Sequence, residues 1–300
     1  MRVLQTIAEL TAARDELRDR RPQPTIALVP TMGALHAGHR SLFALARSLA
    51  DVVVVSIFVN PLQFGPDEDY ARDPRTPEAD LEACRREGID FVFTPSVAEL
   101  YPAGRQVSVQ AGQLGTVLEG RSRPGHFDGV VTVQSKLFNL VQPDKVIFGQ
   151  QDAQQLAVVR KMAADLNCDV DIIAGPTLRD SDGLALCSRN RYLLPHQRTS
   201  ALALSAALRA AKGHDSVAGA LSAAREVLRR AEHDGTFRLD YVTVVHPHTF
   251  AELGHDDTGE ALLVVAGWVG DVRLIDNAAM CFTSAADVVD APQLDRAAAY

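Results

Sequence analysis

The stretch Asp51–Val59, DVVVVSIFV, limits what this chain can fold into more than any other. β-Branched residues lose side-chain freedom in a helix and suit the pleated surface of a strand. The run is apolar at consecutive positions, so a strand built from it needs cover on both faces. Its neighbours supply that cover. TIALVPT (25–31) is another short β-branched run, and HRSLFALARSLA (39–50) spaces its apolar residues as a helix does. TPEADLEACRREG (76–88) carries helix start and stop marks: Thr76 as cap, Pro77 at the first position, acids in the first turn, Gly88 at the end. IDFVFTPS (89–96), DKVIFG (144–149) and VDIIAGPT (170–177) read as further strands. GVVTVQSKLFNLV (129–141) and QQLAVVRKMAADLN (154–167) read as helices. This rhythm predicts an α/β unit, a parallel sheet with helices on both faces.

After about residue 176 the pattern changes. Two Ala-rich amphipathic segments, about 195–212 and 216–233, precede LDYVTVVHP, ALLVVAGWVG and VRLIDNAAM. Gly270–Asp271 is placed to turn the last two into a hairpin. The expected organisation is an α/β domain over 1–176, a smaller C-terminal α+β domain over 177–283, and a flexible tail over 284–300.

The formal net charge of −8 argues against a general nucleic-acid binder, which needs a basic surface. It leaves room for a local basic site that holds a small anion. The four cysteines, Cys84, Cys168, Cys187 and Cys281, form no CxxC pair and read as reduced thiols. The N-terminus meets Glu9 before any apolar region, unlike a secretory signal, and no apolar run approaches the ~20 residues that span a bilayer. The expectation is a soluble cytoplasmic protein without nucleic-acid or membrane partners.

Ligands of open parallel sheets bind beyond the carboxyl ends of the strands. Four polar clusters follow strands here: PTMGALHAGH (30–39), NPLQFG (60–65), GQQDAQQ (149–155) and RDSDGLALCSRNRYL (179–193). In the first, Gly33 lets backbone approach a ligand, and the helix that follows offers free N–H groups to an anion. His36 and His39 share a face there, and their ring N–H groups could hold a phosphate. Taken alone, the pair fits a surface helix start equally well. No third ligand for a metal is evident. Ser188, Arg189 and Asn190, flanked by Arg179 and Arg191, combine hydroxyl, guanidinium and amide into a candidate phosphate clamp; the alternative is a domain linker with solvated arginines.

VPTMGALHAGH, VSIFVNPLQF, DPRTPEADL, LEGRSRPGHFDGV, FGQQDAQQL, DGLALCSRNRYL and RLIDN occur in one order from Val29 to Asn277. This series resembles the pantothenate synthetase (pantoate–β-alanine ligase) family of the HxGH nucleotidylyltransferase superfamily. The resemblance implies a Rossmann-like fold and an ATP-dependent condensation of pantoate with β-alanine through pantoyl adenylate, with release of pyrophosphate and AMP. It assigns His36 and His39 to the ATP phosphates. Met32, Gly33, Gly149, Leu178 and Cys187 fall near the nucleotide, and Ser188 and Arg189 over the triphosphate. Asp152 falls in the phosphate–Mg2+ region. Gln63 and Gln155 would hold pantoate, with Asn60 close by and Val133 and Phe58 as apolar contacts, although Val133 and Phe58 fit an ordinary core as well. Glu119 and Arg123 would form a closing rim. The second domain would act as a lid, and the assembly would be a homodimer in the cytoplasm.

The chain departs from the family pattern at Gln151, where the family loop reads lysine. Gln151 is counted with His36, His39, Ser188 and Arg189 in the catalytic set. A neutral amide there removes positive charge from a step that joins two anions, which can cost roughly 10²–10³ in rate. Three readings stay open: a weakened synthetase, a diverged ligase using another acid and amine, or compensation by Arg123, Lys136 or Arg191. A plain nucleotidylyltransferase and a silent nucleotide binder are the alternatives from other classes. Cys187 replaces a more usual serine, and Asp73 a frequent tyrosine at the surface.

Overall fold

The computed structural model describes residues 1–65, 70 and 74–283. The expected tail at 284–300 and Asp73 lie outside the described residues. The chain divides into two compact units, 1–194 and 195–300.

The first unit contains β1 (Arg2–Leu4), α1 (Ile7–Arg18), β2 (Ile26–Thr31), α2 (Ala37–Leu49), β3 (Val52–Ile57), α3 (Pro77–Arg86), β4 (Phe91–Phe93), α4 (Val97–Leu100), α5 (Glu119–Ser122), α6 (His126–Val141), β5 (Lys145–Gly149), α7 (Ala153–Asp165) and β6 (Asp171–Gly175). The six strands form one sheet in the order β1-β4-β3-β2-β5-β6, and every pairing is parallel. The valines of β3 show why. Val52 and Val54 point to a core shared with α1, α6 and α7, whereas Val53 and Val55 point to a second core against Phe43 and Ala46 of α2 and Cys84 of α3. Each face of the strand is sealed by its own helices, as the unbroken apolar run requires. Chain order reverses at β2, with β3 on one side and β5 on the other. Such a reversal opens a crevice at the carboxyl ends of the two central strands.

Strand β1 has no signature in the sequence. Only three residues long, it is extended because Arg2, Val3 and Leu4 pair with Phe91, Val92 and Phe93. The second unit contains α8 (Pro195–Ala211), α9 (Val217–His233) and the strands β7 (Phe237–Val245), β8 (Gly259–Val269) and β9 (Val272–Phe282), which form an antiparallel sheet in chain order. Val269 pairs with Val272 across the Gly270–Asp271 turn, and Gly270 takes a positive φ of 56°, which a glycine-first two-residue hairpin needs. The units divide between Leu194 and Pro195, later than the expected 176/177. Residues 178–192 fold back on themselves within the first unit: Leu186 N–H donates to Leu178 O at 2.9 Å, and Arg179 bridges Ala185.

Candidate active site

The loop from β2 into α2 opens the crevice. Thr31 Oγ1 donates to Ser56 O at 2.8 Å and accepts the Gly33 N–H at 3.3 Å. The Ala34 and Leu35 N–H groups donate to Asp80 Oδ2 and Oδ1 at 3.0 and 2.8 Å. His36 caps α2: its Nδ1 accepts the Gly38 N–H at 3.1 Å, while His39 Nδ1 accepts the His36 N–H at 3.3 Å. This reciprocal pattern ties up part of the backbone that the helix start was expected to offer to an anion. The Gly33, Ala34, Leu35, His36 and Gly38 N–H groups already have acceptors within the protein. The imidazoles bring further donors to this turn. With both Nδ1 atoms accepting, each neutral ring carries its proton on Nε2. The rings lie 4.1 Å apart between centroids. Burial, then the neighbouring Arg191, lowers the pKa of His36 against the opposing effect of Asp180. Burial, then His36, lowers that of His39 to about 3. Both are neutral donors near neutral pH. Gly38 is part of this arrangement, because a Cβ there would stand 2.9 Å from His36 Cε1.

The 3-10 turn Pro61–Gln63 after β3 is the second wall. Asn60 is nearly sealed from solvent, with Nδ2 donating to Gln63 Oε1 and Gly129 O and Oδ1 accepting from Leu62 N–H and the Tyr101 hydroxyl. Gln63 Nε2 donates to Met32 Sδ at 2.8 Å, which ties this wall to the first loop. Behind it, Arg123 Nη1 lies 3.1 Å from His126 Nε2, and His126 Nδ1 lies 2.8 Å from Gln63 O. A guanidinium only donates, so His126 Nε2 accepts and Nδ1–H donates to the carbonyl.

The floor comes from β5 and α7. Gln154 is buried: Nε2 donates to Leu114 O and Val117 O, and Oε1 accepts the Glu119 N–H at 3.0 Å. Gln155, beside it, is only half-buried. Asp152 keeps an accessible edge, yet the surrounding protein desolvates it and raises its carboxyl; Glu119 adds to this, while Arg189 and Arg123 oppose it. Arg189 is held firmly charged by Cys187, with Asp152 and Glu119 contributing, against desolvation. Ser188 and Arg189 stand in the 3-10 turn Ser188–Tyr192, capped by Cys187. Leu186 comes within contact range of a side chain at position 38, so this segment reaches the histidine turn.

Thus His36, His39, Met32, Gly33, Asn60, Gln63, Glu119, Arg123, Asp152, Cys187, Ser188 and Arg189 belong to one connected neighbourhood. Gly149 and Gln151 border it at the end of β5, and Leu178 exposes its side chain at the end of β6. Val133 and Phe58 are buried in the core cluster beneath. Of the candidate compensating cations, Arg123 acts electrostatically on Asp152 and Arg191 on His36. Lys136 lies over the Tyr101 ring at 6.0 Å. Sequence reading missed Asp80, His126 and Gln154. Asp80 and His126 sit inside quoted motifs, yet no spacing rule reports a partner tens of residues away. Gln154 differs from its twin Gln155 only by helix face.

A family model described as pantoate-beta-alanine ligase matches residues 2–279. The chain belongs to the pantoate–β-alanine ligase family. It is 54% identical over 280 residues to the pantothenate synthetase of Thermobifida fusca, covering 89% of this chain and 94% of that protein. It is 54% identical over 283 residues to that of Acidothermus cellulolyticus, covering 93% and 91%. The pantothenate synthetase structure from Thermus thermophilus superposes with a TM-score of 0.85 at 46% identity, covering 93% of this chain and 99% of that one. The Francisella tularensis pantoate-beta-alanine ligase, solved in complex with β-γ ATP and β-alanine, gives 0.77 at 34% identity, covering 93% and 97%. The family's fold, a parallel sheet followed by a small antiparallel one, is the fold described above. Among the described residues no helix is long and apolar enough to cross a membrane.

Proposed function

We propose that the protein joins pantoate to β-alanine in two steps, first forming pantoyl adenylate and pyrophosphate from pantoate and ATP, then pantothenate and AMP. The observation that carries this reading is the pair of neutral, Nε2-protonated histidines at the sheet's switch point, in a chain of this family. In the first step a pantoate carboxylate oxygen attacks the α-phosphorus and pyrophosphate leaves. His36 and His39 donate Nε2–H bonds to phosphate oxygens as charge builds there. Arg189 and Ser188 cover the departing pyrophosphate. Gln63 and Gln155 orient pantoate, with Asn60 fixing Gln63 and Val133 and Phe58 supporting the apolar side. Met32 and Leu178, both exposed, offer apolar surface to the base. In the second step the β-alanine amine attacks the acyl carbon and AMP leaves, while Glu119 and Arg123 close the rim.

Mg2+ fits this site as a companion of the nucleotide. No cluster of three or more His, Cys, Asp or Glu side chains among the described residues could hold a metal alone. Asp152, with Glu119 near it, supplies the one or two carboxylates that a phosphate-bound Mg2+ uses. Bound there, the ion would neutralise phosphate charge. The active assembly is read as a cytoplasmic homodimer.

Pantoate-dependent exchange of pyrophosphate into ATP, followed by AMP release and amide formation on adding β-alanine, tests the reading. Gln151 favours one rival, a ligase for a different acid; exchange with another hydroxy acid but not with pantoate would establish that rival. A persistent adenylated product without amide would mean a nucleotidylyltransferase.

A further inference from the structure

We infer that Asp80 is a positioning residue for adenylation: its carboxylate holds the turn that aims the two histidines. The inference rests on the function proposed above. An acid in the first turn of a helix ordinarily just complements the helix dipole. Asp80 does something else. It stands at the fourth position of α3, only 2% exposed, and both oxygens leave the helix for a segment more than forty residues earlier in the chain. Oδ2 accepts the Ala34 N–H at 3.0 Å and Oδ1 the Leu35 N–H at 2.8 Å. Thr76 Oγ1 donates to Oδ1 at 3.0 Å and fixes the carboxylate plane.

The turn needs this support. Gly33 and Ala34 both have positive φ, 88° and 48°, and for Ala34 that is an unfavourable backbone state. Charge-assisted bonds from a buried carboxylate are strong enough to hold it. The next residue is His36, whose N–H bonds His39 Nδ1 and whose ring caps Gly38. A shift of the Ala34–Leu35 peptides therefore displaces both Nε2–H donors together. The fit against Asp80 is close: a Cβ on Gly33 would stand 3.0 Å from Oδ2. An amide at position 80 keeps one acceptor and turns an NH2 toward the other N–H, so Asp80→Asn breaks the hold without changing side-chain size.

The test measures pantoate-dependent ATP–pyrophosphate exchange and the 15N signals of the His36 and His39 rings in Asp80→Asn, Thr76→Val and Cys84→Ala. Cys84, wholly buried one turn further along α3, is the packing control. Asp80→Asn should lower the exchange kcat by about 10–100-fold, as a displacement of about 1 Å does, with a smaller change in KM for ATP. Its imidazole signals should leave the pattern of capped Nδ1 and protonated Nε2. Thr76→Val should move both readouts the same way, less far. Cys84→Ala should lose stability and change neither. Wild-type kcat and ring signals in Asp80→Asn overturn the inference, as does an equal fall in kcat in Cys84→Ala at equal loss of stability. If Asp80→Asn does not fold, Thr76→Val decides, and no change in either readout overturns the inference. Absence of exchange in the unmodified protein would instead refute the proposed reaction, and the ring signals would still decide the role of Asp80.

Discussion

At position 151 a neutral amide stands where the family resemblance implies a lysine. Positive charge acts on the proposed phosphate site from arginines: Arg189 and Arg123 act on Asp152, and Arg191 on His36. In a pantoate-using enzyme, Gln151→Lys should raise the rate of pantoate-dependent exchange about tenfold or more. No gain would show that those arginines already meet the need. His39→Ala removes one proposed phosphate donor and one cap. Exchange should fall by about 10²-fold or more, while the Kd of ATP, read by calorimetry, changes far less. Residue chemistry at these positions was legible in the sequence, since HAGH and SRN announce donors and cations. The direction of each donor was not. Only the hydrogen bonds show that both Nδ1 atoms face the protein's own amides, which puts the ring protons on Nε2.

The start of α2 is capped by its own two histidines, so its stability should depend on pH. The His39 ring has a folded pKa lowered to about 3, against an ordinary value of 6.5. Below 6.5 the unfolded chain takes up a proton that the folded chain refuses until about 3. The unfolded state then binds more protons, and stability falls as pH drops through that window. The urea midpoint of the ligand-free protein should decline between about pH 7 and 5, with a shallower decline in His39→Asn. Gly38→Ala should disturb the same element from another side. Its new Cβ meets the His36 ring at 2.9 Å, and the helix is expected to lose about 1 kcal/mol with its cap, read as a lower melting temperature. Long periodic elements such as α7, α8 and α9 were readable from apolar spacing and Ala content, and α6 from the strand that follows it. Strand β1 was not, because three residues carry no period and their extension comes from the register with β4.

At the scale of the whole molecule, the proposed homodimer predicts a mass of twice 32.4 kDa by light scattering at micromolar concentration; the monomer mass there would refute it. The two-unit plan was legible in the switch from alternating strands and helices to helices followed by strands. The unit boundary was placed too early, because residues 178–192 look like a linker in sequence and gain their place by folding back on Leu178 and toward α2. By itself the sequence determined the α/β class, the helices and most strands, because periodicity and β-branching are local properties. Tertiary structure alone decided the strand order that brings β2 beside β5. It also decided which glutamine of the 154–155 pair is buried, and that a carboxylate on α3 holds the histidine turn. Those are contacts between residues far apart in the chain, and a one-dimensional pattern carries no record of which distant side chain supplies the missing acceptor.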